Sequence, residues 1–473
     1  MNELNKVKVR LRPLISKINL PTVMKTTILP GDSMERLFIA TQVGEIFYIG
    51  NGDIRTFLDI RPQVIKLGSS EPGVSGRGYD ERGLLGMAFH PHFYYNGLFY
   101  LHYSVAGTQG PGALPKPFKP DPCDPRTLNL KWINRETQYE HIDTVEEWVL
   151  QRNGQPQKRR TLLNLRRPFF NHNGVNSLNF SPETGKLVFT NGDGGAGYDP
   201  FNLSQDDMEI FGKIIEIDVN KDTSIHTPPV VTRFNELPVA IQETLTVIAK
   251  GVRNIPGISF QRFGNQYIKY VGNVGQDLVE SIFSFVHYKP IPVTHLIQAA
   301  LTKSPLNQEG FINFGWRGWE GVLPTSTIRN CSADPTLNEE TIAYYDEAVK
   351  TSVSRLQPLT SYFHNDPRPD KFAGTALTGV QAYMGDGIPH LKGSVVFTDL
   401  ARKEEARPPV KGVLAYTRGN DFSVIETDYN FGSESAYYVS LGTNMDQTRL
   451  YLGVYGSMKV TDLNQGRVME IVL

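Results

Sequence analysis

Phe170-Asn171-His172-Asn173-Gly174 sets an imidazole between two amides, just before an apolar run that reads as a strand. A neutral histidine at a strand start can take a proton from a bound hydroxyl, which makes His172 a candidate general base. A hydrogen bond to a neighbouring loop would use the same residue types. Asn191-Gly192-Asp193-Gly194-Gly195 closes the paired strand. A hairpin would bring it to the sheet end that carries His172, and its glycines would let a flat ligand approach the backbone. Gly251-Val252-Arg253-Asn254-Ile255-Pro256-Gly257 puts a planar cation beside an amide. The Arg253 fork suits a ligand carboxylate or quinone oxygen, and equally a structural ion pair. Gly272-Asn273-Val274-Gly275-Gln276-Asp277 offers carbonyl and carboxylate oxygens on a tight loop, the hard ligands of calcium rather than zinc. A plain Gly-Asn turn has the same letters. Asp218-Val219-Asn220-Lys221-Asp222 lacks the glycine and distal glutamate of an EF-hand loop and reads as a turn. Gly73 to Gly78 has no strand–helix context for a nucleotide loop. Neither HExxH, paired Cys/His spacing nor a GxSxG elbow occurs, which argues against zinc and serine hydrolase chemistry.

Short apolar runs must position these groups. Leu37-Phe38-Ile39-Ala40, Lys186 to Thr190, Lys213 to Ile217, Ser394 to Phe397 and Arg449 to Gly453 are each about one strand long, bounded by Gly, Asn, Asp or Pro. Helical spacing is confined to Pro292–Thr302 and Asn338–Lys350, too sparse for alternating βαβ units. A strand, a Ser-Pro-x-x-Gly or Gly-Asn turn and a second strand recur, best seen from Asn179 to Phe189. The fold class is all-β, and repeated hairpins favour a propeller. Such an architecture lets all of residues 1–473 form one domain. Segments 105–145 and 325–370, rich in Pro, Asp, Asn and Thr, read as long surface insertions.

Lys plus Arg (48) nearly balances Asp plus Glu (49), without the basic face that a nucleic acid partner needs. Cys123 and Cys331 would form one disulfide in an oxidising compartment, or stand as two separate thiols. Residues 1–20 hold no continuous apolar stretch, so no secretory signal is expected, and no run is long enough to span a bilayer. A soluble protein is expected, its compartment open.

Taken in order, several motifs resemble the glucose/sorbosone dehydrogenase family. They are Glu81-Arg82-Gly83-Leu84-Leu85-Gly86-Met87-Ala88-Phe89-His90-Pro91, Asn171 to Gly174, Asn191 to Gly195, Phe211 to Asp218, Gly251 to Gly257, Gly272 to Asp277, Asn313 to Arg317, Trp319-Glu320-Gly321, Thr378-Gly379 and Ile388 to Asp399. The resemblance runs over roughly residues 30–473. It implies a six-bladed β-propeller that holds pyrroloquinoline quinone (PQQ) and calcium over its central opening and oxidises an aldose. His172 then falls on the base that takes the proton of the anomeric hydroxyl. Arg253 and Asn254 fall on the cofactor contacts, the carbonyls of Gly275 and Gln276 on the calcium ligands, and Glu81 and Asn171 on the sugar contacts. The family's lysine ahead of the strand near Leu391 has no counterpart in Met384 to Ile388. Arg402, Lys403 and Lys411 stand where later basic residues are expected. The wording around Val274 and Phe314 is closer to the Hedgehog-interacting and uncharacterised bacterial branch. The expectation is a PQQ-dependent aldose dehydrogenase with a small-molecule sugar and an electron acceptor as partners. Relatives of this kind are commonly periplasmic or extracellular. The alternatives are a non-enzymatic propeller that has lost the cofactor and binds a protein partner through its insertions, or a calcium-dependent lactonase-like propeller.

Overall fold

The computed structural model describes residues 4, 6–50, 52–68, 78–107, 120–169, 175–306, 308–328, 335–352, 355–366, 368, 371–402 and 409–473. The architecture is all-β and propeller-like. Antiparallel meanders follow from the apolar runs: Glu35–Thr41 buries Leu37 to Thr41 and pairs on both sides, with Pro21–Ile28 and Glu45–Gly50. Asp53–Asp59 completes this first sheet. The second sheet holds Leu84–Phe89, Leu98–Ala106, His141–Leu150 and Pro156–Arg167, the third Val175–Phe180, Leu187–Asn191, Lys213–Ile217 and Leu245–Lys250. Ile258–Phe263, Gln266–Asn273, Val279–Phe285 and Thr360–Phe363 form the fourth. An eight-stranded sheet runs from Leu377–Tyr383 at one edge to Tyr437–Thr443 at the other.

That last sheet departs from the six separate blades the resemblance implies. Residues 7–9 of Val7–Ile18 pair in parallel with 425–427, and from Arg10 onward the same strand pairs antiparallel with Gly466–Val472. One N-terminal strand thereby fuses two four-stranded groups and fastens the chain's last strand, leaving fewer open edges. The helices expected from spacing are present as Val293–Thr302 and Pro335–Thr351. Thr360–Phe363 lies inside the segment read as the second insertion; at four residues between polar stretches it has little pattern to reveal it. The two insertions also meet. Hydroxyls of Thr341, Tyr344 and Tyr345 donate to the carbonyls of Cys123, Leu128 and Pro122 at 2.9, 2.7 and 3.0 Å. Cys123 is disulfide-bonded; the sequence has one other cysteine, Cys331, which lies outside the described residues.

Apolar faces pack sheet on sheet. Between the first two sheets Phe38, Phe57, Phe89 and Phe99 meet with ring centroids 4.7 to 5.2 Å apart for the closest pairs. At the centre, the Thr22 hydroxyl donates to Leu84 O (2.8 Å), Asn179 Nδ2 to Ile258 O (3.2 Å) and Ala382 N to Ser259 Oγ (2.9 Å). Thr378 Oγ1 donates to Tyr438 O (2.7 Å) and Ser440 Oγ to Pro21 O (3.0 Å). From the second sheet to the third, a Cβ on Gly86 would lie 2.9 Å from Leu178, so only glycine lets these strands approach. Among the described residues no helix is long and apolar enough to cross a membrane.

Candidate active site

The strands nearest the axis enclose a cavity of about 590 Å³. Each of the four separate sheets contributes its first strand, and the eight-stranded sheet contributes both of its edges. Glu81, Arg253, Asn254, Gly275 and Gln276, distant in sequence, all line it. His172 and Asn171 lie outside the described residues. Arg402 and Lys411 are joined by a backbone hydrogen bond of 3.0 Å, Lys411 is exposed, and neither lines the cavity. Asp218 to Asp222 is a turn, in which Asn220 N donates to Asp218 Oδ1 at 3.2 Å.

One wall is built from loops 251–257 and 272–278. The Asn273 side-chain oxygen accepts from the backbone N–H groups of Arg253 (3.2 Å) and Asn254 (3.1 Å). Arg253 in turn donates to Gln276 Oε1 and Val274 O, both at 3.1 Å, and stands 5.9 Å over the Trp316 ring. Glu320, buried, accepts the N–H groups of Gln276 (2.9 Å), Asp277 (3.1 Å) and Leu278 (2.9 Å). Burial raises its pKa, opposed by these donors and by Arg253. An added Cβ on Gly275 would sit 2.0 Å from Val279 O, so the loop requires glycine here. Among the described residues no hydrogen bond ends on the carbonyl oxygens of Gly275 or Gln276.

Glu280 ties this loop to Leu377–Tyr383, the edge strand of the eight-stranded sheet that also lines the cavity. Its Oε2 accepts from Gly275 N (3.3 Å) and Leu377 N (3.0 Å), while Oε1 lies 2.6 Å from His364 Nε2. Burial opposes protonation of His364, but the hydrogen bond and charge of Glu280 outweigh it and raise its pKa. Asp399 accepts from Thr375 N, Thr375 Oγ1, Ala401 N and Tyr362 OH at 2.8 to 3.1 Å. Burial, then the nearby Glu280 charge, push its carboxyl up to about 7.

The opposite wall rests on a different network. Asp80 holds Arg82 through two contacts of 2.8 and 2.9 Å, and Arg82 reaches Glu140 at 2.9 Å. Gln42 Nε2 donates to the carbonyls of Asp80 and Arg82, both at 2.8 Å, and the Tyr455 hydroxyl donates to Gln42 Oε1 at 3.2 Å. Tyr79 OH donates to Glu81. Behind them Asp143 accepts from Ser104 (3.0 Å) and faces His102 and Arg167, each at 3.3 Å. Burial opposes ionisation of Asp143, but His102 and Arg167 outweigh it and hold its pKa well below the usual range. Arg167 also donates to Asn191 (3.0 Å), and Trp316 donates to Asp193 (2.7 Å), so both polar side chains of the Asn191–Gly195 motif are anchored.

Sequence reasoning missed Lys25, Glu280 and His364. Lys25 lines the cavity and donates to Asn179 Oδ1; burial lowers its pKa to about 8. Nothing local marks it, because only closure of the ring brings Pro21–Ile28 to the axis. Glu280 did carry a signal: it is a carboxylate inside the apolar strand Val279–Phe285. No cluster of three or more metal-ligating side chains exists among the described residues, so a cation here would rest on backbone and amide oxygens.

The sequence profile of the glucose/sorbosone dehydrogenase family matches residues 20–288. The HIPL1 protein of Arabidopsis thaliana is 26% identical over 396 residues, covering 78% of this chain and 50% of that protein. The HIPL2 protein of the same plant is 23% identical over 323 residues, covering 62% and 42%. The chain thus spans half or less of the length of these curated relatives. The PQQ-bound form of aldose sugar dehydrogenase from Streptomyces coelicolor superposes with a TM-score of 0.54 at 14% identity, over 98% of both chains. The apo-form of the soluble aldose sugar dehydrogenase from Escherichia coli gives 0.52 at 15% identity, over 98% and 99%. At these identities the structural likeness is one of fold. Motifs, fold and profile agree, and the chain belongs to the glucose/sorbosone dehydrogenase family.

Proposed function

We propose that this chain oxidises an aldose at C1 with a bound quinone, as a PQQ- and calcium-dependent dehydrogenase. The observation that carries the reading is the convergence of Glu81, Arg253, Asn254, Gly275 and Gln276 on one cavity. We count the eight-stranded sheet as two blades joined by Val7–Ile18, which gives a single six-bladed domain with its opening at that cavity. Two cations in the wall, Arg253 and Lys25, suit an anionic, flat ligand. The carbonyl oxygens of Gly275 and Gln276, bearing no described hydrogen bond, suit calcium. PQQ, when bound, supplies the two-electron acceptor for the hydride that leaves sugar C1.

The chain's own residues do the rest. His172 takes the proton of the anomeric hydroxyl through a neutral ring nitrogen, so that hydride loss from C1 leaves the lactone. Glu81 and Asn171 orient the sugar hydroxyls. Arg253 and Asn254 position the cofactor, and Arg253 stabilises negative charge that grows there. Arg402 and Lys411 are not among the described lining residues, and this reading assigns their charge role to Lys25. The disulfide at Cys123 supports an oxidising compartment, periplasmic or extracellular.

A second reading, a non-catalytic module that binds a protein partner, is favoured by the position of Arg402 and Lys411 and by the joined insertions. Turnover separates the two. With PQQ, Ca²⁺, an aldose and a dye acceptor, the dehydrogenase reading expects sugar-dependent dye reduction that slows with a C1-deuterated sugar and disappears in His172→Ala. Sugar-independent dye reduction, or none with quinone bound, would leave the binding module.

A further inference from the structure

The lysines of the core and of the cavity wall differ in how their ammonium groups are satisfied. Lys213 donates to three carbonyls, of Leu203, Ser204 and Phe211, at 3.2, 3.1 and 2.8 Å. Lys250 pairs with Asp207 at 2.7 Å, and Lys269 pairs with Glu183 and donates to Val286 O at 2.8 Å. Lys25 has one described acceptor, the amide oxygen of Asn179, and no ion pair with any described carboxylate. Asn179 cannot turn to offer more, because its Nδ2 donates to Ser177 Oγ (3.0 Å) and Ile258 O (3.2 Å). An ammonium carries three donors, and the half-buried Lys25 fills one of them among the described contacts. Here burial is the sole cause of its lowered pKa.

The side chain lines the central cavity beside Thr22, Ser177, Asn179 and Ser440. A cation with unused donors at the wall of a ligand-sized cavity is completed by an anion entering that cavity. Arg253, the other cation among the described lining residues, already spends two of its donors on Gln276 and Val274, which leaves Lys25 the less engaged of the two. We propose that Lys25 is the anion-recognising group of the central cavity and that its ligand carries a carboxylate. This rests on the reading of the cavity as the site of function. Two sources share the chemistry: a carboxylate of the quinone cofactor, or that of a sugar acid.

The test measures binding, without turnover, by titration calorimetry on the wild type, Lys25→Met and Lys25→Arg. The probes are PQQ with Ca²⁺, glucuronate and glucose. At least one of the two acids should bind Lys25→Met about tenfold to a hundredfold more weakly than wild type, the range for one charge-assisted hydrogen bond. Lys25→Arg should retain most of the affinity. That acid should also shield Lys25 from reductive methylation, read by peptide mass spectrometry, whereas glucose should not. A Lys25-dependent PQQ affinity identifies the cofactor as the source. Glucuronate binding that needs Lys25 while PQQ fails to bind keeps this inference and removes the quinone reading. PQQ binding equally to wild type and Lys25→Met, with glucuronate binding neither, overturns the inference and leaves the quinone reading intact. Loss of neither acid's affinity in Lys25→Met overturns it whatever else binds.

Discussion

Behind the second sheet, Asp143 faces Arg167 and two histidines; behind the fourth sheet, Asp399 lies near Glu280, which has His364 as its basic partner. Both networks are buried, and both fix cavity-lining loops through their hydrogen bonds. Their charge balance is opposite. In the first, His102 and Arg167 keep Asp143 ionised well below the usual carboxylate range. In the second, burial and then the Glu280 charge lift Asp399 to about 7, and Glu280 outweighs burial to raise His364. Burial alone therefore does not set the protonation of a propeller's polar core; the number of cations enclosed with each carboxylate does.

The largest test of this contrast is Arg167→Leu. It strips Asp143 of its arginine in a dry site and should cost about 3–5 kcal/mol, read by chemical denaturation. Stability unchanged within error would show that the histidines alone suffice. Glu320→Gln keeps an acceptor but removes the charge that gathers three N–H groups; it should cost about 1–3 kcal/mol and weaken calcium-dependent quinone binding. Equal loss of stability without any loss of binding would confine Glu320 to folding.

The pH dependence should differ in sign between the networks. Asp399 and His364 hold protons in the folded state that the unfolded chain releases earlier, so the Asp399 contribution falls as pH rises from about 4 through about 7, and that of His364 falls as pH rises above its ordinary value. Asp399→Asn should flatten that fall. Asp143, depressed when folded, stabilises above its unfolded pKa and loses this as pH drops through acid. Asp143→Asn should instead flatten the acid limb; the same limb in both variants would contradict the contrast. The smallest effect is expected at Lys25. Its lowered pKa penalises folding below about pH 8 and relents toward its unfolded value, so Lys25→Met should gain on the order of 1 kcal/mol at neutral pH. A loss in melting temperature would mean the Asn179 bond outweighs desolvation.

Much of the site was readable because it lies on turns with unusual letters. Gly275 needs its missing side chain against Val279, and Arg253 and Asn254 share one anchor, Asn273, so the motifs carry their own constraints. Strand runs were readable for the same local reason. Lys25 and the fused eight-stranded sheet were not, since both depend on how the N-terminal segment closes the ring, a contact between residues more than 400 positions apart. Arg402 and Lys411 carry charge at positions the resemblance suggested, and neither is among the described residues lining the cavity.

Under the proposed function, the axial cavity holds a quinone and a sugar together. The most direct measurement is a titration of the purified apo-protein with PQQ in the presence of Ca²⁺, followed through quinone absorbance, with aldose then added anaerobically. Saturable binding, weakened by calcium removal and by Arg253→Ala, followed by sugar-dependent bleaching of the quinone band, is the predicted result. No binding at micromolar quinone would contradict it.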